Sequence, residues 1–320
     1  MILTVTLNPA LDTTYAVDTV IAGSTHRVRS VEVRAGGKGL NVTRVLAAMG
    51  VPVLATGLIG GDNGDRIEAL LAADGIAASF QPIAGESRRT VVATDGAEAT
   101  GFWEPGPRVS ATEWNTFVGH YRWCLNRASI VVLAGSLPPG IADRSYAELI
   151  SLAREAGTGV VLDTEGPALR RALFAGPTVV KPNRAELSAA TARSVTGVAD
   201  AVGAARSLRD GSATAVVATL GADGMVASTA NGHWHAHLPA PLPGNPTGAG
   251  DACSAALAAG LLRGSSGSSG SGGSGGEPKW PELLVEAVAW SAAAVAAPAA
   301  GMVDPDRIQE LRPAVAVEEI

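Results

Sequence analysis

The sequence contains few cysteines and few aromatic residues. Its two cysteines, Cys124 and Cys253, are far apart and form no Cys-x-x-Cys motif, which excludes a disulfide framework and a zinc knuckle. Such a chain is typical of a reducing compartment, and we therefore expect a cytoplasmic protein. Phe, Trp and Tyr make up 4% of the residues, but 47% are hydrophobic, which is enough for a sizeable core.

Runs of positive charge and long apolar segments are also absent from the sequence. The net charge is -6 and no Lys/Arg run occurs, so we expect no nucleic-acid partner. No apolar run reaches membrane-spanning length, so we expect no membrane partner. Residues 1–7 lack a basic segment and end at Asn8-Pro9, which predicts a strand rather than a signal peptide.

Strand and helix patterns alternate along most of the chain. Alternating βα units predict a parallel sheet covered by helices on both faces. At 14–34 and 88–104 polar and apolar residues alternate instead, as in strands with one face in water, and we predict an inserted small sheet. A Gly/Ser-rich stretch at 264–276 predicts a flexible loop within a single domain spanning 1–320. The predicted strands are 2–7, 53–59, 129–134, 159–163, 178–181 and 214–219, and the main predicted helices are 64–74, 110–126, 144–156, 198–209, 251–263 and 282–297.

A glycine-rich turn precedes the helix that begins near Gly250 or Asp251. The first N–H groups of a helix have no internal partner, and the helix dipole adds positive potential there. Gly248, Ala249 and Gly250 can therefore direct N–H groups at a phosphate. Asp251 beside that anion suits a base that accepts a proton from an attacking hydroxyl. The alternative is an ordinary acidic residue in the first turn of a helix.

A second glycine-rich turn opens the helix that runs to about residue 49. Gly36 and Gly37 allow a small ligand close to the backbone, while Lys38 and Asn41 supply a cation and an amide. The spacing does not match a Walker A loop. Asp12 follows the first strand, at the end where α/β folds place ligands, so it can accept hydrogen bonds from sugar hydroxyls or serve as a turn residue.

Two segments resemble signatures of the ribokinase-like sugar kinases, the PfkB family. Asn-Pro-Thr-Gly-Ala-Gly-Asp-Ala at 245–252 is similar to the carboxyl-terminal signature, and Gly-Gly-Lys-Gly-Leu-Asn-Val at 36–42 to the amino-terminal one. The lysine form of the second resembles the 1-phosphofructokinase and tagatose-6-phosphate kinase branch. The resemblance implies a three-layer α/β/α domain with a mostly parallel sheet and a small β-sheet lid, often used to form a homodimer. It implies transfer of the γ-phosphoryl of ATP to a hydroxyl of a ketohexose phosphate, with Mg²⁺.

The resemblance also assigns roles to individual residues. In the family the aspartate at position 251 is the catalytic base, and the backbone of 248–250 stabilises the transferring phosphoryl group. The ATP site would include Lys181, Asn183, Glu186, Thr219, Gly221 and Gly224. In the family pattern Asn183 and Glu186 would hold Mg²⁺ through water, whereas by themselves they also fit a helix cap with glutamate three residues on. The sugar site would include Asp12, Gly36, Gly37 and Asn41, and we expect Lys38, Arg88 and Ser136 to bind the phosphate of the substrate.

The segment Gly101-Phe102-Trp103 departs from the pattern of the family. Some of its phosphofructokinases carry a further lid arginine there. The absence of that arginine keeps an unphosphorylated sugar or a nucleoside open as the substrate. A sugar-phosphate-binding protein without catalysis is a third alternative, against which Asp251 and the Asn183/Glu186 pair argue.

Overall fold

The computed structural model describes residues 1–96, 98–210, 215–266 and 278–320. The strands are β1 (Ile2–Thr6), β2 (Ala10–Ala16), β3 (Ser30–Gly36), β4 (Val53–Ile59), β5 (Gln81–Pro82), β6 (Arg88–Thr94), β7 (Ala99–Trp103), β8 (Ile130–Ala134), β9 (Gly159–Asp163), β10 (Val179–Val180), β11 (Ala215–Thr219), β12 (Met225–Ser228), β13 (His233–His237) and β14 (Ala316–Glu319). The helices are α1 (Lys38–Ala48), α2 (Gly61–Ala73), α3 (Ala111–Leu125), α4 (Ser145–Glu155), α5 (Gly166–Leu173), α6 (Arg184–Thr191), α7 (Val198–Asp210), α8 (Ala249–Ser266), α9 (Trp280–Val295) and α10 (Pro305–Leu311).

A ten-stranded sheet forms the centre of the molecule, in the order β14-β13-β12-β11-β10-β9-β8-β1-β4-β5. Neighbouring strands from β5 to β11 are parallel, and the last three pairs, from β11 to β14, are antiparallel. The carboxyl ends of the parallel strands therefore meet at one edge of the sheet, where ligands bind in folds of this kind.

Hydrophobic clusters cover both faces of this sheet. Alternate residues of β1 divide between them, since Ile2 packs in a cluster with α1, α8 and α9, whereas Leu3 and Val5 pack in one with α3, α4, α5 and α7. Every residue of β1 and β8 is buried, as expected for strands covered on both sides. The predicted three-layer arrangement, a mostly parallel sheet between two sets of helices, is confirmed.

A separate four-stranded sheet, in the order β3-β2-β6-β7, is here called the lid sheet. Apolar residues on one of its faces, including Leu11 and Ala35, form a third cluster with α2 residues such as Ile67 and Leu71. The predicted small sheet is present, although its first two strands are 10–16 and 30–36 and not a continuous pair within 14–34.

Some helix and strand boundaries differ from those predicted from the sequence. The helix predicted to end at 263 continues to Ser266, so the start of the predicted Gly/Ser loop is helical. The rest of that loop lies outside the described residues. Short elements at α5, β12 and β14 were not predicted. Within the described ranges, no helix has the length and apolar character needed to cross a membrane.

Candidate active site

A cleft of about 1870 Å³ lies between the lid sheet and the carboxyl edge of the main sheet. The cleft is lined by residues at the carboxyl ends of β1, β8, β9 and β11 and in the first turns of α1, α6 and α8. The cleft brings together all the predicted site residues except Gly36. At Gly36 the Asp12 carboxylate occupies the place of a side chain, because a Cβ there would lie 1.9 Å from Asp12 Oδ2. Gly36 therefore acts by admitting Asp12 and not by lining the cleft.

Asp251 lies in the first turn of α8, at the bottom of the cleft. It is 7% exposed, and its Oδ2 accepts a hydrogen bond of 2.8 Å from Asn41 Nδ2. Burial, followed by the nearby Asp163 carboxylate, raises the pKa of Asp251 to about 7. A carboxylate with a pKa near neutral pH is well suited to accept a proton in a general-base step.

The turn before α8 supplies fewer backbone donors than the sequence suggests. Gly248 has a φ of 90°, and a Cβ at this position would lie 2.9 Å from Ala300 Cα, so the turn requires glycine. The N–H of Ala249 donates to Pro246 O at 3.2 Å, which removes it from the predicted set of anion donors. For the N–H groups of Gly248 and Gly250, no acceptor is found among the described residues, and these two remain available to a phosphate.

Asp163, at the end of β9, is a site residue that sequence reasoning missed. It is 1% exposed, and its Oδ2 lies 3.1 Å from Lys181 Nζ and accepts a 2.9 Å hydrogen bond from Ser254 Oγ. Burial opposes its ionisation, but Lys181 and Lys38 outweigh burial and hold the pKa of Asp163 below its usual value. Lys181 lies directly below the start of α8, since a Cβ on Gly250 would be 3.3 Å from its Nζ.

Lys38 points toward the middle of the cleft and not toward the lid sheet. Its Nζ lies 3.2 Å from Asp163 Oδ1 and 3.6 Å from Glu186 Oε1. The Asp163 carboxylate, despite burial, raises the pKa of Lys38 above its usual range, and Glu186 and Asp251 add to the effect. The structure therefore brings Lys38 together with Asp251 and the predicted ATP residues, and not with Arg88.

The first turn of α6 holds Asn183 and Glu186 in a reciprocal cap. Asn183 Oδ1 accepts from the Glu186 N–H at 2.9 Å, and Glu186 Oε2 accepts from the Asn183 N–H at 2.8 Å. The capping alternative is thus what the structure shows, and Glu186 Oε1 still faces the cleft beside Lys38. Mg²⁺ prefers one or two carboxylates together with substrate phosphates and water. The Glu186 carboxylate suits that donor set, whereas both oxygens of Asp163 are already engaged by Lys38, Lys181 and Ser254. No cluster of three or more metal-ligating side chains is found in the described residues.

The nucleotide end predicted at Thr219, Gly221 and Gly224 follows β11. Thr219 forms a parallel bridge with Asn183, which ties this end to α6. A short 3-10 turn at Gly221–Asp223 then lines the cleft. Apolar side chains line the same end of the cleft, as binding the flat ring of a nucleotide would require. These side chains were not identified from the sequence. They are Leu220, Leu242, Val288, Ala292 and Val295.

At the lid end, Arg88 is held by two backbone carbonyls. Its Nε donates to Asn8 O and its Nη1 to Glu104 O, both at 3.1 Å. Asn8 Nδ2 in turn donates to the predicted phosphate ligand Ser136 at 3.2 Å. Burial raises the pKa of Asp12, although the Thr90 hydroxyl and Arg88 partly offset that rise. Arg88, Ser136 and Asp12 therefore form one polar group at this end of the cleft.

The family model described as pfkB family carbohydrate kinase matches residues 5–271 of this chain. The chain belongs to the pfkB family of carbohydrate kinases. The resemblance seen in the two glycine-rich segments is thereby confirmed. Membership makes the protein a sugar kinase, and the family implies ATP as the phosphoryl donor.

Solved structures of related kinases cover almost the whole chain. Phosphofructokinase-2 from Escherichia coli in complex with potassium is 27% identical, with a TM-score of 0.88 and 98% of both chains covered. The same protein in complex with fructose-6-phosphate gives a TM-score of 0.86 at 27% identity and 98% coverage of both chains. A possible 1-phosphofructokinase from Thermotoga maritima is also 27% identical, with a TM-score of 0.85, 100% of this chain and 99% of that chain covered. Arabidopsis thaliana ribokinase, at 19% identity, a TM-score of 0.73, and 97% and 98% coverage, shows the shared fold.

In this pfkB kinase, the Asn41–Asp251 hydrogen bond predicts the pH dependence of activity. Asn41 favours the ionised carboxylate, so Asn41→Ala should raise the pKa of Asp251. The acidic limb of kcat/KM should then move to higher pH by about one unit, because a hydrogen bond to a charged group is worth about 1.5 kcal/mol. The measurement is a kcat/KM profile from pH 5 to 9 for both proteins with the same substrates.

The exposed helical residue Asn115 provides the matched control, since Asn115→Ala should leave the limb in place. Substrate and ATP ionisations are common to all three proteins and cancel in the comparison. An unchanged limb in Asn41→Ala would show that Asp251 does not limit the rate at low pH.

Proposed function

We propose that the protein transfers the γ-phosphoryl of ATP to a hydroxyl of a ketohexose phosphate of the fructose 1-phosphate or tagatose 6-phosphate type. The observation that carries this proposal is Asp251, a buried carboxylate with a pKa of about 7. It lines one cleft together with the lid residues Asp12 and Arg88 and with the turn after β11. The acceptor hydroxyl and the donor phosphate would meet at Asp251.

Asp251 would accept the proton of the attacking hydroxyl. Lys38, beside Asp251 and Glu186, would neutralise charge on the transferring phosphoryl, together with the N–H groups of Gly248 and Gly250. From the sequence, Lys38 was expected to bind the phosphate of the substrate. The different role proposed here is based on the ion pair between Lys38 and Asp163. Glu186 Oε1 would hold Mg²⁺, with Asn183 fixing Glu186. The ion would supply charge neutralisation to the ATP phosphates.

Transfer of label from γ-labelled ATP tests this proposal. The panel should contain fructose 1-phosphate, tagatose 6-phosphate, fructose 6-phosphate, fructose, tagatose and a nucleoside. We expect labelled product from at least one sugar phosphate, with kcat/KM at least tenfold above that of the matching plain sugar. Equal or better use of a plain sugar or the nucleoside would favour the second candidate. That candidate is supported by the direction of Lys38, which leaves fewer cations at the lid end.

We also propose that two copies of the chain associate through the lid sheet. Val31 and Phe102 are 57% and 64% exposed on strands whose other face lines the cleft. Further exposed apolar residues lie in the connection between β2 and β3. They are Val20, Ile21 and Val28.

Phe102→Glu should therefore weaken self-association by at least tenfold, because it places a charge in an apolar interface. Sedimentation velocity over a concentration series measures the effect. Phe174→Glu is the matched control, since Phe174 is 80% exposed at the end of α5, away from the lid sheet. A wild-type protein that remains monomeric at high micromolar concentration would contradict the proposal.

A further inference from the structure

One cross-strand row of the lid sheet faces the cleft. Asp12 lies opposite Arg34 on β3 and opposite Thr90 on β6, and Thr90 lies opposite Trp103 on β7. Residues that lie directly opposite each other project from the same face of a sheet, and all four line the cleft. The row therefore presents a guanidinium, a carboxylate, a hydroxyl and an indole to whatever occupies the lid end.

Arg34 is the member of this row whose hydrogen-bonding capacity is not used. Its Nη1 is buried and has no hydrogen-bond partner in the described part of the chain. Its Nε lies 3.8 Å from Glu32 Oε1, which is too long for a hydrogen bond. Burial, followed by the positive charge of Arg34, lowers the pKa of Arg44. The two guanidinium groups are therefore close to each other. The Arg34 side chain is 24% exposed and lines the cleft, so its charge, which no hydrogen bond of Nη1 to a described residue offsets, can be reached by an anion.

The other cations of the cleft are already engaged. Lys38 is paired with Asp163 and Glu186, and Lys181 is paired with Asp163. Arg44 donates to Asp74 and to the carbonyl of Ala35, and Arg184 is paired with Asp223. Arg88 uses Nε and Nη1 for backbone carbonyls, which fixes the orientation of its remaining edge. Charge from Arg34 is therefore available to a ligand at the lid end, where Arg88 alone would leave a doubly charged phosphate incompletely paired.

The lid geometry allows Arg34 and Arg88 to meet at one group. Arg88 lies opposite Ala10, and Arg34 lies opposite Asp12, so the two arginines are two residues apart along the strands and two strands apart across the sheet. With neighbouring strands about 4.8 Å apart and about 3.4 Å per residue, their Cα atoms are roughly 12 Å apart. Both guanidinium groups influence the Asp12 carboxylate, which lies between the two strands. Two arginine side chains reaching inward across that gap can bind a single phosphate from two directions.

We infer that Arg34 is the specificity-determining partner of Arg88 and that the two together bind the phosphate group of a phosphorylated sugar. This inference rests on the proposed function and assigns to Arg34 the role expected of Lys38 in the sequence analysis. Asp12 between the two arginines would accept hydrogen bonds from the sugar hydroxyls. The site would then select a ketohexose phosphate over the plain ketohexose.

Binding measured without catalysis tests this inference. Isothermal titration calorimetry of fructose 1-phosphate, tagatose 6-phosphate and fructose should be compared in wild type, Arg34→Met and Arg34→Lys. We expect Arg34→Met to weaken binding of the preferred sugar phosphate by 10- to 100-fold, the range for losing a charge-assisted pair. Arg34→Lys should recover only part of the loss, because a point charge does not reproduce the planar fork. Fructose and ATP affinities should stay within about twofold.

Arg89→Met is the matched control, because Arg89 lies on the same sheet opposite Leu11 and pairs with Glu104 at 3.6 Å outside the cleft. Its sugar-phosphate affinity should equal that of wild type. Melting temperatures establish that each variant is folded. If Arg34→Met does not fold, Arg34→Lys provides the test.

The outcomes separate this inference from the proposed function. A folded Arg34→Met that binds sugar phosphates as tightly as wild type would overturn the role of Arg34 while leaving the kinase intact. Equal loss of fructose and its phosphates would also overturn it, since Arg34 would then act by positioning Asp12. A wild type that binds no sugar phosphate overturns it as well. Absence of label transfer to every acceptor, with sugar-phosphate binding still dependent on Arg34, would instead refute the proposed reaction and support the inference.

Discussion

Asp251→Asn is expected to lower kcat by roughly 10²–10⁴, the usual contribution of a positioned general base. The amide oxygen can still accept the hydrogen bond from Asn41, so the local geometry is retained, but it cannot take up a proton. ATP affinity should change little. Initial rates at saturating substrates and ATP titrations measure the two effects. Asp65→Asn, on the exposed face of α2, is the control and should keep wild-type activity.

The same substitution should increase stability at alkaline pH. The native pKa of Asp251 is raised from 3.8 to about 7, so the folded chain binds more protons than the unfolded chain between these values. Stability from this group therefore decreases as pH rises from about 4 to 7. Asparagine has no such dependence, and Asp251→Asn should melt at a higher temperature than wild type at pH 8 but not at pH 4.

A kcat of Asp251→Asn within threefold of wild type would remove Asp251 from the mechanism.

The largest loss of stability is expected from Asp163→Asn. Lys181 is 3% exposed and Asp163 1%, so the substitution leaves a buried ammonium without its carboxylate. Breaking a buried pair by removing one partner costs about 3–5 kcal/mol. Chemical denaturation at pH 7 measures the free energy of unfolding. Lys38 loses the same partner, and kcat should fall at least tenfold because its ammonium is no longer fixed.

The pH dependence and a second variant identify the cause. Without Asp163, burial lowers the pKa of Lys181 in the native state, so the unfolded chain binds more protons and stability rises with pH in the alkaline range. Asp163→Asn with Lys181→Met should recover much of the loss, because an apolar replacement of a buried pair can be close to neutral. Glu282→Gln, which breaks an exposed pair with Lys279, should cost less than about 1 kcal/mol. Similar costs for Asp163→Asn and Glu282→Gln would show that burial does not matter here.

The parts of the site that sequence reasoning located are formed by neighbouring residues. Gly248 and Asp251 lie in one turn, and Gly37 and Asn41 in another, so composition and spacing are enough to predict two helix starts. The contact between these turns, Asn41 to Asp251, was not predicted. It depends on α1 and α8 packing on the same face of the sheet, which no local pattern records.

The missed residues depend on distant partners. Asp163 ends an ordinary buried strand, and only the fold places it between Lys38 and Lys181. Arg34 alternates with apolar neighbours in β3 like any polar strand residue. Only the register between β2 and β3 shows that it lies opposite Asp12. A direction for Lys38 could not be inferred without Asp163. β14 was not predicted because its signal is a pairing with β13 far along the chain.

The hydrogen bonds of Arg88 have a consequence for how the lid sheet is joined to the rest of the molecule. Asn8 lies where the chain leaves β1 for the lid sheet, and Glu104 lies where it returns from β7 to α3. Arg88 therefore ties an outgoing and a returning connection together, in addition to facing the cleft. Replacing Arg88 would alter this joint and the proposed contact with the substrate phosphate at the same time, so a loss of activity in such a variant would combine both effects. Among the described residues, Arg34 has only the distant Glu32 carboxylate of its own strand beside its Nε and crosses no connection, so the proposed recognition of the ligand can be changed at Arg34 without altering the joint.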